Sequence, residues 1–220
     1  DANNRLTKVT CRDGNAGGTI RYMQVNTYNY DGQRISQINN RATTYYYYQG
    51  GVLLYTTDGN GNKTSRNIIG PQENVIATIR YEDEGEHAYF YNKDIRTSVT
   101  NVIDESGSGV VSYRYDDYGT TTKYGDKDFY NEVCYTSGVY DELTGLYYLN
   151  ARYYNPDTAT FITQDSYRGE QGDYGTWNLY AYCGGNPVNY VDPSGHKSNP
   201  IRKGYYYPNN AWNSLKLYEK

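Results

Sequence analysis

Apolar and polar positions alternate in short runs along this chain, and the runs end in Gly, Asn, Asp or Ser. A period of two predicts strands, and the punctuation predicts turns between them. Thr97 to Tyr115 reads as a strand, a turn at Asp104-Glu105-Ser106-Gly107-Ser108-Gly109 and a second strand, with Val111, Tyr113 and Tyr115 on one face. Helical spacing is confined to the Ala211 to Tyr218 tail. One motif recurs, Tyr-x-Tyr followed by Asp, Asn or Gln and a nearby Gly: Tyr28-Asn29-Tyr30-Asp31-Gly32, Tyr46-Tyr47-Tyr48-Gln49-Gly50, Tyr89-Phe90-Tyr91-Asn92, and Tyr113-Arg114-Tyr115-Asp116-Asp117-Tyr118-Gly119. Tyr140-Asp141 with Gly145 is a looser copy. The steps between copies predict about one hairpin each, two for the long step from Tyr48 to Tyr91. Asp31-Gly32 is expected as a two-residue turn that sets Tyr30 opposite Gln33 and Tyr28 opposite Ile35.

Composition explains how such strands find a core. Leu, Ile, Val and Phe supply only 35 of 220 residues, a poverty that ordinarily marks disorder. The 31 Tyr reverse that reading, because each buries a large ring while its hydroxyl finds a partner. The 23 Gly serve the turns. A net charge of −4 and the lack of any 18-residue apolar run leave a basic nucleic-acid binder, a secretory leader and a membrane span without support. Opening on Asp1, the chain reads as a fragment. Cys11, Cys134 and Cys183 are too few for a disulfide scaffold. Asn62-Lys63-Thr64 is a lone glycosylation sequon of the kind that arises by chance.

The repeats resemble the YD repeats of Rhs-family proteins, and Tyr140 to Gly195 resembles that family's core-associated C-terminal region. The matching residues are Tyr140-Asp141-Glu142-Leu143-Thr144-Gly145-Leu146-Tyr147-Tyr148-Leu149-Asn150-Ala151-Arg152-Tyr153-Tyr154-Asn155-Pro156, Phe161-Ile162-Thr163-Gln164-Asp165, Asn178-Leu179-Tyr180-Ala181-Tyr182, Asn186-Pro187 and Asp192-Pro193-Ser194-Gly195. The resemblance implies an all-β fold, a spiralling strip of antiparallel hairpins at the end of a hollow shell, of the kind found in polymorphic toxins, Tc toxin C components and teneurins. It divides the chain into YD-repeat hairpins (1–139), the core region (140–195) and a basic Tyr-rich tail (196–220).

Family shells enclose a C-terminal passenger, and many members free it with an aspartyl autoprotease built on two Asp-Pro-x-Gly motifs. The resemblance implies Asp165 and Asp192 as the catalytic pair and cleavage between Gly195 and His196 or at the next bond. Two neighbouring carboxylates suit such chemistry, since one activates water while the other holds a proton for the scissile carbonyl. The second motif is intact as Asp192-Pro193-Ser194-Gly195. The first departs from the pattern, because Asp165-Ser166-Tyr167-Arg168-Gly169 lacks the Pro, carries an extra residue and follows Gln164 where cleaving members often have Arg. His196 stands where those members usually have Leu. The plainer role for both aspartates is to cap turns.

Other candidates have plainer readings. Asp58-Gly59-Asn60-Gly61-Asn62 spaces oxygens like the start of a calcium loop, yet Lys63 and Ile69 stand where Gly and Glu belong, so a hairpin turn is expected. Glu82-Asp83-Glu84-Gly85-Glu86-His87 reads as a solvated loop. With His87 and His196 the only histidines, no metal and no cofactor is expected. Cys183 reads as structural. The tail from His196 carries a net charge of +4 against −8 for the residues before it, which draws it toward them; Tyr205-Tyr206-Tyr207-Pro208 and Trp212 are expected to pack on the sheet or form a linker stub.

The resulting expectation is a structural shell segment of a bacterial-type secreted or cell-surface toxin that encapsulates or displays a passenger. Its partners are its own passenger or a neighbouring Rhs chain, without nucleic acid and without a membrane span. Adhesion to carbohydrate or a cell-surface protein is the binding alternative. Edge-to-edge homo-oligomers follow from unpaired strand edges. Self-cleavage by Asp165 and Asp192 is the enzymatic alternative.

Overall fold

The computed structural model describes residues 1–201 apart from 15–16, 41, 167 and 170–173. The Tyr205-to-Pro208 cluster, Trp212 and the Ala211 to Tyr218 spacing lie outside the described residues. Eleven strands follow one another in strict sequence order through a single antiparallel sheet. They are β1 (Lys8–Arg12), β2 (Ile20–Tyr28), β3 (Arg34–Asn39), β4 (Ala42–Gln49), β5 (Val52–Asp58), β6 (Lys63–Ile69), β7 (Val75–Glu82), β8 (Gly85–Lys93), β9 (Val99–Ile103), β10 (Gly109–Tyr115) and β11 (Thr121–Gly125). Four short strands form a second antiparallel sheet: β12 (Val139–Asp141), β13 (Leu146–Leu149), β14 (Arg152–Asn155) and β15 (Thr160–Phe161). A last pair joins β16 (Tyr190–Val191) to β17 (Asn199–Pro200). The described residues contain short 3-10 turns but no α-helix, in keeping with the all-β expectation.

A recurrent turn gives the repeat its physical meaning. Asn29, Asp58, Asp94, Asp104 and Asp116 each accept, through the side-chain Oδ1, the backbone N–H of the residue four positions on, at 2.8 to 2.9 Å. The residue three positions on is left-handed in each: Gly32, Gly61, Thr97, Gly107 and Gly119. Glycine suits that conformation at no steric cost, which is why it follows the acid at a fixed distance. Gly119 has a second reason, because a Cβ there would lie 2.6 Å from Cδ1 of Tyr135. The expected two-residue turn at Asp31-Gly32 is corrected by this geometry. Asn29 opens the turn, Tyr30 sits inside it fully exposed, and Tyr28 pairs with Arg34 across a bulge. The side chain that accepts hydrogen bonds, and not the Asp-Gly dipeptide, sets where the strands end. The same build makes Asp58 to Asn62 a hairpin turn between β5 and β6, while Asp83-Glu84 closes β7 on β8 with Glu82 opposite Gly85.

The chain after β11 turns back and packs on one face of the long sheet. That face carries Val75, Tyr91, Val99, Val102, Val111 and Tyr113, which cluster with Tyr135, Tyr147, Tyr154, Phe161 and Tyr182 of the returning chain. Tyr91 pairs with Val102 and Val102 with Val111 across neighbouring strands, and Tyr113 and Tyr115 lie on the same face as Val111. Tyr46 and Leu53 meet Val139, Leu146, Tyr148 and Tyr153 in a second cluster. Between the clusters the same face is polar: Gln24, Arg34, Thr56, Ser65 and Thr78 are all at 0% exposure. Buried polar groups demand partners, and the returning chain supplies several of them. Arg34 Nη1 donates to Asp141 Oδ1 and Oδ2 at 2.8 and 2.7 Å and to Tyr153 Oη at 2.6 Å. Its guanidinium centre lies 4.3 Å and 4.8 Å from the ring centroids of Tyr46 and Tyr148. Glu132 accepts from Ser65, Thr56 and Arg80. Lys93 donates to Asn74 and Ser137, and burial pushes its ammonium down to about 7.

Replacing Asp141 with Ala strands the Arg34 charge and is expected to cost about 3–5 kcal/mol in urea denaturation. The double variant Arg34→Met/Asp141→Leu should recover most of that loss. Equal destabilisation by the double variant would mean that packing, and not the charge pair, dominates there.

Candidate functional site

The tight turn between β13 and β14 cradles the intact Asp-Pro-x-Gly segment. Asn150 takes a left-handed backbone to make that turn. Three successive residues then donate to three successive carbonyls: Asn150 Nδ2 to Pro193 O at 3.0 Å, the Ala151 amide to Ser194 O at 3.2 Å, and Arg152 Nε to Gly195 O. Gly195 is buried, has φ of +72°, and lies so close to the turn that a Cβ would collide with the Leu149 carbonyl oxygen and crowd the Arg152 amide. Glycine is therefore required twice over, by conformation and by contact.

Both sequence-predicted carboxylates arrive at this cradle. Asp165, held by its amide to Leu179 O at 2.9 Å, places Oδ2 at 2.8 Å from Arg152 Nη2. Asp192 places Oδ2 at 3.8 Å from the same nitrogen. Asp192 Oδ1 accepts from the His196 amide and from Ser194 Oγ, each at 3.2 Å, so the turn-capping role is real as well. His196 Nδ1 lies 2.9 Å from Asp165 Oδ1, and its side chain is nearly half exposed. Burial raises the Asp192 carboxyl above its usual range, with Arg152 opposing that rise. The two carboxylates, Gly195 and His196 thus form one constellation, centred on a cation.

That cation, Arg152, is the site residue that sequence reasoning misses. It is the lone charge in Tyr147-Tyr148-Leu149-Asn150-Ala151-Arg152-Tyr153-Tyr154, and a guanidinium inside an aromatic strand pair is the signal that could have found it. Its Nη1 donates to Leu179 O at 2.9 Å and its Cζ lies 3.6 Å from the Phe161 ring centroid. Beside it opens a cleft of about 920 Å³ whose lining includes Arg5, Tyr30, Ala151, Asp165 and His196. Asn4 Nδ2 reaches Gln164 O at 2.8 Å on the cleft wall. Cys134 and Cys183 are buried, which pushes both thiols up to about 12 and leaves them unreactive. Among the described residues no three His, Cys, Asp or Glu gather to hold a metal ion, and no helix is long and apolar enough to cross a membrane.

No family model matches the chain. It is 37% identical over 200 residues to the tRNA3(Ser)-specific nuclease WapA of Bacillus spizizenii, a match covering 89% of this chain and 8% of that protein. It is 28% identical over 191 residues to the toxin subunit YenC2 of Yersinia entomophaga, covering 77% of this chain and 19% of the relative. The crystal structure of TcdB2-TccC3 without its hypervariable C-terminal region superposes with a TM-score of 0.65 at 22% identity, over 87% of this chain and 10% of that one. The all-β fold is therefore that of the Tc toxin neighbours. The relatives support an Rhs- and Tc-toxin-related family. The chain spans under one tenth of WapA and under one fifth of YenC2, so the activities in their names belong to those whole proteins.

Gly195→Ala should expel the 192–196 segment from its cradle, at a cost of about 1–3 kcal/mol. Amide hydrogen exchange at position 195 and at His196 would rise sharply, whereas Pro193→Ala at the exposed neighbouring position would leave it slow. Unchanged exchange in Gly195→Ala would contradict the close fit.

Proposed function

We propose that this chain is a wall segment of a β-shell that encloses or displays a C-terminal passenger of a secreted or cell-surface toxin. Eleven strands in unbroken sequence order carry this reading, because such a sheet extends by adding hairpins and has one face reserved for an interior. The returning chain covers part of that face through two buried ion pairs, one from Glu132 and one from Asp141 of the second sheet. Toxin relatives favour the same role, and the hypervariable C-terminal region named for TcdB2-TccC3 supports a passenger downstream. Residues 1–139 would form the wall, 140–195 its inner support and 196–220 the lead into the passenger. A neighbouring toxin chain is the second partner, by analogy with the TcdB2-TccC3 pairing. In the longer polypeptide that contains this segment, residues following Lys220 should resist trypsin long after the same residues expressed alone are digested. Equal digestion rates would remove the encapsulation role.

A second reading is favoured by the convergence of Asp165 and Asp192 on one guanidinium beside Gly195. The chain would cut its own Gly195–His196 bond. Asp165 accepts the proton of a water entering from the cleft, and Asp192, whose raised pKa favours the protonated form, supplies the other proton. Because that form is lost as pH rises through the raised value, cleavage should be faster near pH 5 than near pH 7. Intact-mass time courses should show a fragment beginning at His196, and Asp192→Asn should slow it at least about 100-fold. Full-length mass at both pH values, indistinguishable from Asp192→Asn, would end this reading.

A further inference from the structure

We infer that Arg152 is a catalytic residue of this self-cleavage, its guanidinium holding the Gly195 carbonyl oxygen as negative charge builds there. The inference rests on the self-cleavage reading and adds the group that the two carboxylates alone do not provide. Arg152 Nε already donates to Gly195 O, while the amide on the other side of the same peptide bond, His196 N, faces Asp192 Oδ1 at 3.2 Å. The bond is therefore gripped at both ends by different chemistry.

The guanidinium is also fixed in advance. Nη1 is tied to Leu179 O, Nη2 to Asp165, and the plate lies on Phe161. Its side chain is only 5% exposed. A charged donor held this way needs no rearrangement when the carbonyl becomes an oxyanion, which is the condition under which such groups contribute most. The close fit of Gly195 against the β13–β14 turn keeps the oxygen from sliding off the donor.

The step balances with one water. The water oxygen bonds to the Gly195 carbonyl carbon, its proton passes to Asp165, and the carbonyl electron pair moves onto the oxygen held by Arg152. That pair then re-forms the carbonyl as the carbon–nitrogen bond breaks, and Asp192 gives its proton to the departing His196 nitrogen. The products are a carboxyl group on Gly195 and an amino group on His196.

The test uses the full 220-residue chain, unfolded in urea and diluted into buffers from about pH 4.5 to 8, with intact mass followed over time for wild type, Arg152→Lys and Arg152→Gln. Far-UV circular dichroism and a cooperative melt establish that each variant is folded. Arg152→Gln should lose about 100-fold in rate, with Arg152→Lys recovering part of it. Because the Arg152 charge opposes the burial of Asp192, the upper pH limit of the residual cleavage in Arg152→Gln should move to higher pH. A limit that moves while the rate at its optimum stays within threefold of wild type would show Arg152 acting on Asp192 alone, and that outcome also overturns the catalytic role. A folded Arg152→Gln, or a folded Arg152→Lys where the former fails to fold, that cleaves within threefold of wild type with the same pH limit overturns the role of Arg152 alone. If wild type also stays intact at every pH, the self-cleavage reading itself falls and takes this inference with it.

Discussion

The arrangement of the molecule depends on a buried charge pair whose members stand 107 residues apart in the chain. Arg34 on the third strand and Asp141 on the twelfth are both at 0% side-chain exposure and lie 2.7 Å apart. Removing two charges from water is expensive, and the attraction between them returns little more than that cost. Their value lies in direction. The placement of the second sheet on the first brings Asp141 and Tyr153 to Arg34 Nη1 and the Tyr148 hydroxyl to the Arg34 backbone amide together. Glu132 with Arg80 makes a second fixed point some way along the same face. An apolar interface would tolerate sliding by a residue or two, and these pairs do not.

Tyrosine makes such an interface workable in a chain so poor in aliphatic residues. The rings pack among themselves, as Tyr154 does on Tyr182 at a centroid distance of 4.1 Å. The hydroxyls then tie the core to backbone far away in sequence: Tyr115 to Val99 O, Tyr135 to Asp117 O, and Tyr154 to Tyr118 O. Each ring thus contributes apolar area at one end and a directed bond at the other. Leucine would fill the same volume without specifying which strand or turn it belongs beside. The polar inner face of the long sheet and its tyrosine-rich cover are two aspects of one solution.

Much of this is legible in the residues. Alternation and turn chemistry point to the antiparallel hairpins, and the family resemblance, through its motifs, implies Asp165, Asp192 and the Gly195–His196 bond as a set. What escapes is non-local. The hairpin register at Asp31-Gly32 differs from expectation because Asn29 competes for the backbone through its side chain, and a dipeptide rule does not weigh that competitor. The turn at Asp94 has the same geometry as the recognised repeats, yet Thr97 stands in place of Gly, so its signature is hidden. Arg34, Glu132 and Arg152 look like surface charges in one dimension. Their burial follows from which strand lies across from them, and sequence carries that only through the whole fold.

The candidate site carries the same dependence one level further. Its parts come from residues 149–152, 164–165 and 192–196, and the cleft beside it is walled by residues near the N-terminus, where Asn4 reaches Gln164 across 160 positions. No local segment contains even two of the interacting charges in usable geometry. Loop closure on this scale is paid once, by the docking of the second sheet. Arg34 with Asp141 helps to fix the strands that carry the β13–β14 turn, where Arg152 is the common partner of the Gly195 carbonyl and the two carboxylates. Any chemistry at this point is therefore conditional on the docked second sheet, and a chain that is incompletely folded lacks the site altogether.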